Sequence, residues 1–170
     1  MSTKNKESKI YLLDTMVLIN FTERCVSHDI FGYFEKLGIH FQIVEEVKKE
    51  FFKKVKPLGE TRFRTYTRSN TLQIISNDDI EIDIETMKDF VNKGFGRGEL
   101  FSSLYYIGQS NLKLVSDERV VHKVFEKKFN EKLTRTYDLL TVLVQKNIIT
   151  EKQRDEIMDE MIENGFWIKK

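Results

Sequence analysis

Short apolar runs alternate along the chain with longer stretches in which apolar residues recur every three or four positions. The short runs are rich in β-branched and aromatic residues and predict strands, whereas the longer periodic stretches predict amphipathic helices. The predicted strands lie at 9–13, 39–43, 72–75, 112–115 and 133–136. The predicted helices lie at 15–24, 28–36, 44–55, 84–93, 96–109, 118–129, 138–146 and 150–163. This alternation is typical of a parallel sheet with helices on both faces.

We therefore predict a single-domain α/β/α sandwich with a mostly parallel central sheet of about five strands. A chain of 170 residues can bury one sizeable core without disulfides. We interpret Pro57 and nearby Gly59 as the end of the helix at 44–55, and not as a domain boundary. The domain is expected to span residues 1–170, with the C-terminal helices and tail at 138–170 as part of it.

The composition excludes several classes of protein. Hydrophobic residues make up 40% of the chain and charged residues 32%, which is typical of a globular protein and not of a disordered one. Cys25 is the single cysteine, so the chain has no internal disulfide and suits a reducing compartment. No cluster of cysteine and histidine indicates a zinc site. The one long apolar run is too short for a membrane helix, and we expect a cytoplasmic protein without membrane contact.

Basic residues are concentrated in two stretches, although the net charge is only +1. The first stretch contains Lys48, Lys49, Lys53, Lys54, Lys56, Arg62, Arg64 and Arg68. The second stretch contains Arg119, Lys123, Lys127, Lys128, Lys132 and Arg135. Local basic stripes can bind a phosphate backbone through counterion release. Solvated helix faces are the alternative interpretation, and the acids that lie near these stretches in the sequence favour a substrate path.

Asp14 is an acid at the centre of the apolar run 10–21. A carboxylate in such surroundings must be hydrogen-bonded, paired with a charge or bound to a cation, because burying it bare is very costly. A helix N-cap is the simplest alternative, since Asp14 or Thr15 could accept the first backbone N–H groups of the helix that follows. The two interpretations are about equally plausible when Asp14 is considered alone.

Asp117 occupies a comparable position. It follows the predicted strand at 112–115, and Asp14 follows the predicted strand at 9–13. If these two strands are parallel, both acids lie at the same edge of the sheet. Ligands of open parallel sheets bind at the carboxyl ends of the strands.

Further acids lie at helix starts and on helix faces. Glu99 follows Gly98 in the first turn of a predicted helix, where the helix dipole stabilises a negative charge. Because Gly98 has no side chain, a ligand can approach the backbone closely at this point. The helix at 44–55 offers Glu45, Glu46 and Glu50. Its periodicity places Glu45 and Glu50 at the borders of the apolar stripe and Glu46 further away, and it does not choose between the first two.

Four segments, in this order and spacing, resemble the motifs of PIN-domain nucleases, the family that includes toxin ribonucleases of toxin–antitoxin pairs. These segments are 12–19, 43–51, 96–100 and 114–119, and the region 138–168 resembles the ending of one subgroup. The resemblance implies that the four core acids are Asp14, Glu50, Glu99 and Asp117. It implies metal binding by Asp14, Glu99 and Asp117, and auxiliary roles for Thr15, Glu118 and Thr136. Candidate nucleic-acid contacts are Lys49, Lys53, Arg97 and Arg119.

Three positions depart from the family pattern. Met16 replaces a common Asn or Ser, Arg97 stands where an extra acid is frequent, and His122 stands where some relatives have an arginine. None of these changes removes a core acid. The departures therefore concern substrate contacts and not the metal site.

The resemblance implies a phosphodiesterase that depends on Mg²⁺ or Mn²⁺, since hard cations prefer oxygen ligands and activate water for phosphodiester hydrolysis. RNA is the expected substrate ahead of DNA, and an inhibitory antitoxin protein and a homodimer are possible assemblies. The alternative function is a catalytically silent PIN-like module that binds nucleic acid or protein. The sequence leaves open the cleavage specificity, the number of metal ions, the oligomeric state and whether Glu45 or Glu46 replaces Glu50.

Overall fold

The computed structural model describes residues 10–166 and contains a four-stranded parallel sheet. The strands are β1 (Ile10–Leu13), β2 (His40–Val44), β3 (Leu72–Ile75) and β4 (Lys113–Val115). Their order in the sheet is β3-β2-β1-β4, so the chain moves outward from β1 in one direction and then returns to the other side of β1. Lys9, at the start of the first predicted strand, and the end of the predicted tail, 167–170, lie outside the described residues.

Helices flank this sheet and complete an α/β/α fold, which confirms the predicted fold class. They are α1 (Thr15–Ile19), α2 (Ile30–Lys36), α3 (Glu45–Lys54), α4 (Pro57–Arg68), α5 (Ile84–Asn92), α6 (Arg97–Ile107), α7 (Arg119–Phe129), α8 (Thr136–Gln145) and α9 (Glu151–Glu163). A π-helical turn, Asn20–Arg24, extends α1, and a 3-10 turn, Asn77–Asp79, follows β3.

The predicted strand at 133–136 is wrong. Thr134 forms one parallel bridge with Val115: its N–H binds the Leu114 carbonyl, and its carbonyl accepts the Ser116 N–H. The pairing stops there because Thr136 already begins α8 and binds Asp117. The described part of the sheet therefore has four strands and one additional bridge in place of five strands.

Helix α4 was not predicted, because Pro57 was interpreted only as a helix end. Pro57 stands at the first position of α4, where a proline loses no hydrogen bond and its fixed φ suits the helix. The apolar face of α4 buries Phe63 and Tyr66. Phe63 and Tyr66, which lie among the basic residues of the first stretch, are thus core residues and are not exposed for stacking on bases.

The core on one side of the sheet is built from phenylalanines. Phe41 of β2 contacts the rings of Phe31 and Phe34 at centroid distances of 5.0 and 5.1 Å, and Phe21 packs against all three. These rings are fully buried. The packing holds α2 and the π-helical turn against β2. Within residues 10–166, no helix is both long and apolar enough to cross a membrane.

Candidate active site

The ends of β1 and β4 bring Asp14 and Asp117 to the same edge of the sheet. The strands pair in parallel with Leu13 opposite Val115, and the Asp14 N–H donates to the Val115 carbonyl at 3.1 Å. The strand order reverses between β1 and β4, and crevices at such reversals bind ligands in open parallel sheets. The two acids therefore flank the position where this fold class places its ligands.

Asp14 is both a helix cap and an incompletely satisfied acid. Its Oδ1 accepts the Val17 N–H at 3.0 Å, which caps α1, while its Oδ2 is buried and has no hydrogen-bond partner. The residue is only 2% exposed. Burial and then the charge of Asp117 raise the pKa of the Asp14 carboxyl to about 8. The cap explains one carboxylate oxygen and leaves the other without a structural role.

Asp117 is held from one side by Thr136. The Thr136 N–H and hydroxyl donate to its two carboxylate oxygens at 3.0 and 2.5 Å. Burial raises the pKa of Asp117, and the two bonds from Thr136 and the charge of Arg135 act against that rise. The bonds explain why the chain leaves the strand at 134 and turns into α8 beside the acid.

Glu99 lies in the first turn of α6. Its carboxylate accepts the Gly96 N–H at 3.0 Å, the reciprocal half of a capping box. Burial raises the pKa of Glu99, and the negative charges of Glu118 and Glu50 raise it further. Glu99 also acts on Asp14, so the acids from four separate segments lie within electrostatic range of their neighbours.

Glu50 connects two helix starts. Its Oε2 accepts the Thr15 hydroxyl at 2.6 Å, and its Oε1 accepts the Gly98 N–H at 3.0 Å. A Cβ at position 98 would lie 2.7 Å from the Glu50 Oε2 and 2.9 Å from the Thr15 Oγ1. Both distances are too short, so only a glycine fits here without a shift of these side chains. Of the three candidate acids on α3, Glu50 is therefore the one beside Glu99.

Periodicity placed Glu46 away from the buried face of its helix, and the structure shows that this prediction is wrong. Glu46 is 4% exposed and binds the Arg97 Nε at 2.9 Å, the Lys49 Nζ at 3.0 Å and the Asn77 Nδ2 at 3.0 Å. The bond from Arg97 is the main reason why the pKa of Glu46 falls to about 2. Periodicity missed this burial because α3 packs against α6 as well as against the sheet. Glu45 accepts the Asn77 N–H at 3.1 Å and supports the turn after β3.

The four basic residues predicted to contact nucleic acid all lie at the surface. Lys53 is exposed on α3, and Arg119 is exposed at the start of α7, two residues after Asp117. The side chains of Lys49 and Arg97 are 59% and 71% exposed and share the carboxylate of Glu46. Lys49 and Lys53 share α3 with Glu50, and Arg97 shares α6 with Glu99.

Three residues near the acids were missed or undervalued by the sequence interpretation. The buried Ser116 favours the charged form of Asp14, and its hydroxyl accepts the Glu118 N–H at 3.2 Å. His122 was noted as a departure from the family pattern; it is buried, with Nε2 2.5 Å from the Ser116 carbonyl oxygen. Arg135 acts on Asp117. The only available signal in the sequence was that Ser116 lies within the segment 114–119 and that His122 follows this segment closely.

The donor chemistry fits a hard divalent cation. Carboxylate oxygens are the ligands that Mg²⁺ and Mn²⁺ prefer, and the buried Oδ2 of Asp14 lacks a partner that such an ion would supply. Within residues 10–166, however, no group of three or more His, Cys, Asp or Glu side chains is placed to hold one ion. The acids repel one another in pairs along this edge without forming a closed set of ligands.

A parallel α/β/α fold with acids at the strand-order reversal is the arrangement of a PIN-like nuclease fold. A family model described as a PIN domain matches residues 10–170. The chain therefore belongs to the PIN-domain family, which confirms the resemblance predicted from the four motifs, and this family consists generally of nucleases. Comparisons with curated proteins and with solved structures found no match.

Proposed function

We propose that the protein is a metal-dependent nuclease that hydrolyses phosphodiester bonds, with RNA as the substrate. The observation that carries this proposal is the buried Oδ2 of Asp14, which has no hydrogen-bond partner although Asp117 lies beside it. Two adjacent acids with raised pKa values, the buried Asp14 and the half-buried Asp117, are unfavourable for folding unless a positive charge compensates them. Such strongly perturbed acids at a ligand-binding edge are typical of functional sites.

Asp14, Asp117 and Glu99 are the proposed ligands of Mg²⁺ or Mn²⁺. When bound, the ion supplies charge relief on the phosphate and an activated water as the nucleophile. Thr136 orients Asp117 through its two hydrogen bonds, and Ser116 favours the ionised form of Asp14. Both contacts reduce the cost of keeping the acids ionised before the substrate arrives.

Glu50 and Glu118 have different proposed roles. Both oxygens of Glu50 accept hydrogen bonds, from Thr15 and Gly98, so Glu50 fixes the start of α1 relative to the start of α6. This contact sets the separation of Asp14 and Glu99. Glu118 is the N-cap residue of α7 and adds negative charge near Glu99 as an auxiliary acid.

The substrate and the partners are proposed from the family resemblance. Lys49, Lys53, Arg97 and Arg119 supply positive charge near the acids, which suits a polyanion. A toxin or defence ribonuclease, restrained by an inhibitory protein and working in the cytoplasm, is the biological role that we propose. A homodimer is a further proposal on the same basis.

A PIN-like module that binds RNA without cleaving it is the second candidate. One observation favours it: within the part of the chain that the structure describes, no three acids are placed to hold one ion. The two candidates differ in the expected effect of a chelator. A binding module binds RNA equally well with and without divalent cations, whereas the nuclease stops cleaving RNA when the cations are removed.

The test is a cleavage assay on single-stranded RNA, structured RNA and DNA, each with Mg²⁺, Mn²⁺ or a chelator. We expect RNA to be cut with either metal and not in chelator, and Asp14→Asn to abolish cleavage. Tight RNA binding without cleavage under every condition would support the silent module instead. Cleavage that persists in chelator, or in the purified Asp14→Asn protein, would overturn the proposed metal site.

A further inference from the structure

Arg97 is an exposed arginine with a fixed guanidinium. It occupies the first position of α6, and its Nε donates to the Glu46 Oε2 at 2.9 Å. The guanidinium lies over the ring of Phe101, 5.7 Å from its centroid. Contacts on the Nε edge and on one face restrict the side chain, although it is 71% exposed. The two terminal amino groups remain for a further acceptor.

Glu46 has the properties of an anchor for this arginine. It is 4% exposed and accepts hydrogen bonds from Lys49 and Asn77 in addition to Arg97. A buried carboxylate with three donors stays ionised and holds its partners firmly. Exposed arginines usually lose considerable side-chain entropy when they bind a ligand, and a guanidinium that is already anchored loses less.

Arg97 also lies at the acid edge. The next residue, Gly98, donates its N–H to Glu50, and the Glu50 charge acts on the Arg97 guanidinium. Glu99 follows one position later on the same helical turn. A phosphate held by Arg97 would therefore lie beside the acids and at the positive end of the α6 dipole.

We propose that Glu46 and Arg97 form a preset phosphate-binding arm, in which Glu46 holds the guanidinium of Arg97 ready for a backbone phosphate of the RNA substrate. This inference rests on the proposed function and specifies how the same site positions its substrate. It gives Arg97, which replaces a frequent acid of the family, a partner that the sequence did not reveal. Glu46 acts through Arg97 and is a positioning residue.

The test measures the affinity of a fluorescent single-stranded RNA in chelator, so that cleavage does not interfere. We expect Arg97→Gln to weaken binding about tenfold and to lower the slope of log affinity against log salt by about one phosphate contact. Arg97→Lys should recover only part of the lost affinity, because an ammonium keeps the charge but lacks the planar, two-donor geometry of a guanidinium. Lys36→Gln is the control for charge, since Lys36 ends α2 before β2 begins and so lies near the opposite edge of the sheet.

Glu46→Gln separates anchoring from simple electrostatics. It removes a negative charge, so electrostatic attraction alone predicts tighter RNA binding. The anchoring arm predicts the opposite: binding about threefold weaker, and no additional loss when Glu46→Gln is combined with Arg97→Gln. Thermal unfolding of each variant shows whether the protein remains folded, and Arg97→Lys tests the arm without touching the buried glutamate.

The outcomes distinguish this inference from the proposed function. The arm is wrong if Arg97→Gln behaves like Lys36→Gln, or if Glu46→Gln binds RNA more tightly than the unchanged protein. Absence of cleavage with intact, Arg97-dependent RNA binding would overturn the nuclease and keep the arm. Absence of RNA binding by the unchanged protein would overturn both.

Discussion

Asp14 and Glu46 are equally buried carboxylates with opposite properties. They are 2% and 4% exposed, yet the pKa of Asp14 is raised to about 8 and that of Glu46 is lowered to about 2. Burial is the largest cause of the rise at Asp14, whereas at Glu46 the hydrogen bond from Arg97 outweighs the effect of burial. Glu46 accepts bonds from Arg97, Lys49 and Asn77. Asp14 has one backbone donor and some support from Ser116, and it faces another acid.

The comparison shows that burial of a charged group does not by itself indicate function. Glu46 is compensated within the protein and stabilises the contact between α3 and α6. Asp14 is not compensated, and its second oxygen has no hydrogen-bond partner. A group that weakens folding in the isolated protein is a better candidate for ligand binding than one whose interactions are complete.

Asp14→Asn gives the largest expected effect. The asparagine oxygen still accepts the Val17 N–H and caps α1, but the charge is lost, so we expect nuclease activity to fall to background, at least about 100-fold. In chelator the variant should be more stable than the unchanged protein. The folded-state pKa of about 8 lies above the ordinary value of 3.8, so across this window Asp14 ionises in the unfolded chain but stays protonated in the fold, and this destabilises the fold increasingly as the pH rises. The stability difference should grow from pH 4 to pH 8, by at most about 1.4 kcal/mol per pH unit.

Asp83→Asn is the matched control for this variant. Asp83 is also an N-cap aspartate and accepts the Thr86 N–H at 3.0 Å, but it is exposed, and the hydroxyl and N–H of Thr86 lower its pKa. Cleavage should be unchanged, and no stabilisation that grows toward pH 8 should occur. Equal pH dependence of the two variants in chemical denaturation would contradict the contrast between Asp14 and Glu46.

Much of the fold was predictable because the local patterns of apolar residues match the strands that form the sheet. Strand β3 was predicted at its observed bounds, and β1, β2 and β4 within about one residue, since each is a short apolar run between polar turns. Helix α4 was missed because proline both ends and begins helices, and the sequence shows only the proline. The strand at 133–136 failed because its last residue, Thr136, binds Asp117 instead of extending the sheet.

The site was predictable to the level of which acids lie near one another. Asp14 and Asp117 follow strands, so their common edge follows from parallel pairing. Glu46 was misplaced because helical periodicity measures one buried face, and α3 is covered by α6 as well as by the sheet. The anchoring of Arg97 depends on Glu46, which lies 51 positions earlier in the sequence on another helix, and no local pattern contains that information.

Glu46→Gln is expected to destabilise the protein, whereas Asp14→Asn is expected to stabilise it. It leaves Arg97 and Lys49 facing an uncharged amide and should cost about 2 kcal/mol at neutral pH. The pKa of Glu46 is lowered from 4.5 to about 2, so its stabilisation is complete above pH 4.5 and is lost as the pH falls through this window. The difference between the variant and the unchanged protein should therefore shrink as the pH falls from 4.5 toward 2 in urea unfolding.

Glu60→Gln is the control for an ordinary ion pair. Glu60 binds Arg64 at 2.8 Å on α4, with side chains 44% and 58% exposed, and its removal should change stability by no more than about 0.5 kcal/mol. If both glutamine variants lose equally little stability, Glu46 is not the compensated buried charge that the comparison requires.

Thr136→Val gives the smallest expected effect and tests Asp117, which lies between the two extremes. Its pKa is raised by burial, as for Asp14, but Thr136 donates two hydrogen bonds that act against the rise. Losing the hydroxyl should raise the pKa of Asp117 further and cost about 1 kcal/mol at neutral pH. The loss should be smaller at low pH, where Asp117 is protonated, because the hydroxyl favours the ionised form.

Thr65→Val removes a hydroxyl that binds only the Thr61 carbonyl on the exposed face of α4, so its effect should not depend on pH. Urea unfolding of both variants from pH 4 to pH 8 measures the difference, and parallel curves would show that Thr136 does not control the charge of Asp117.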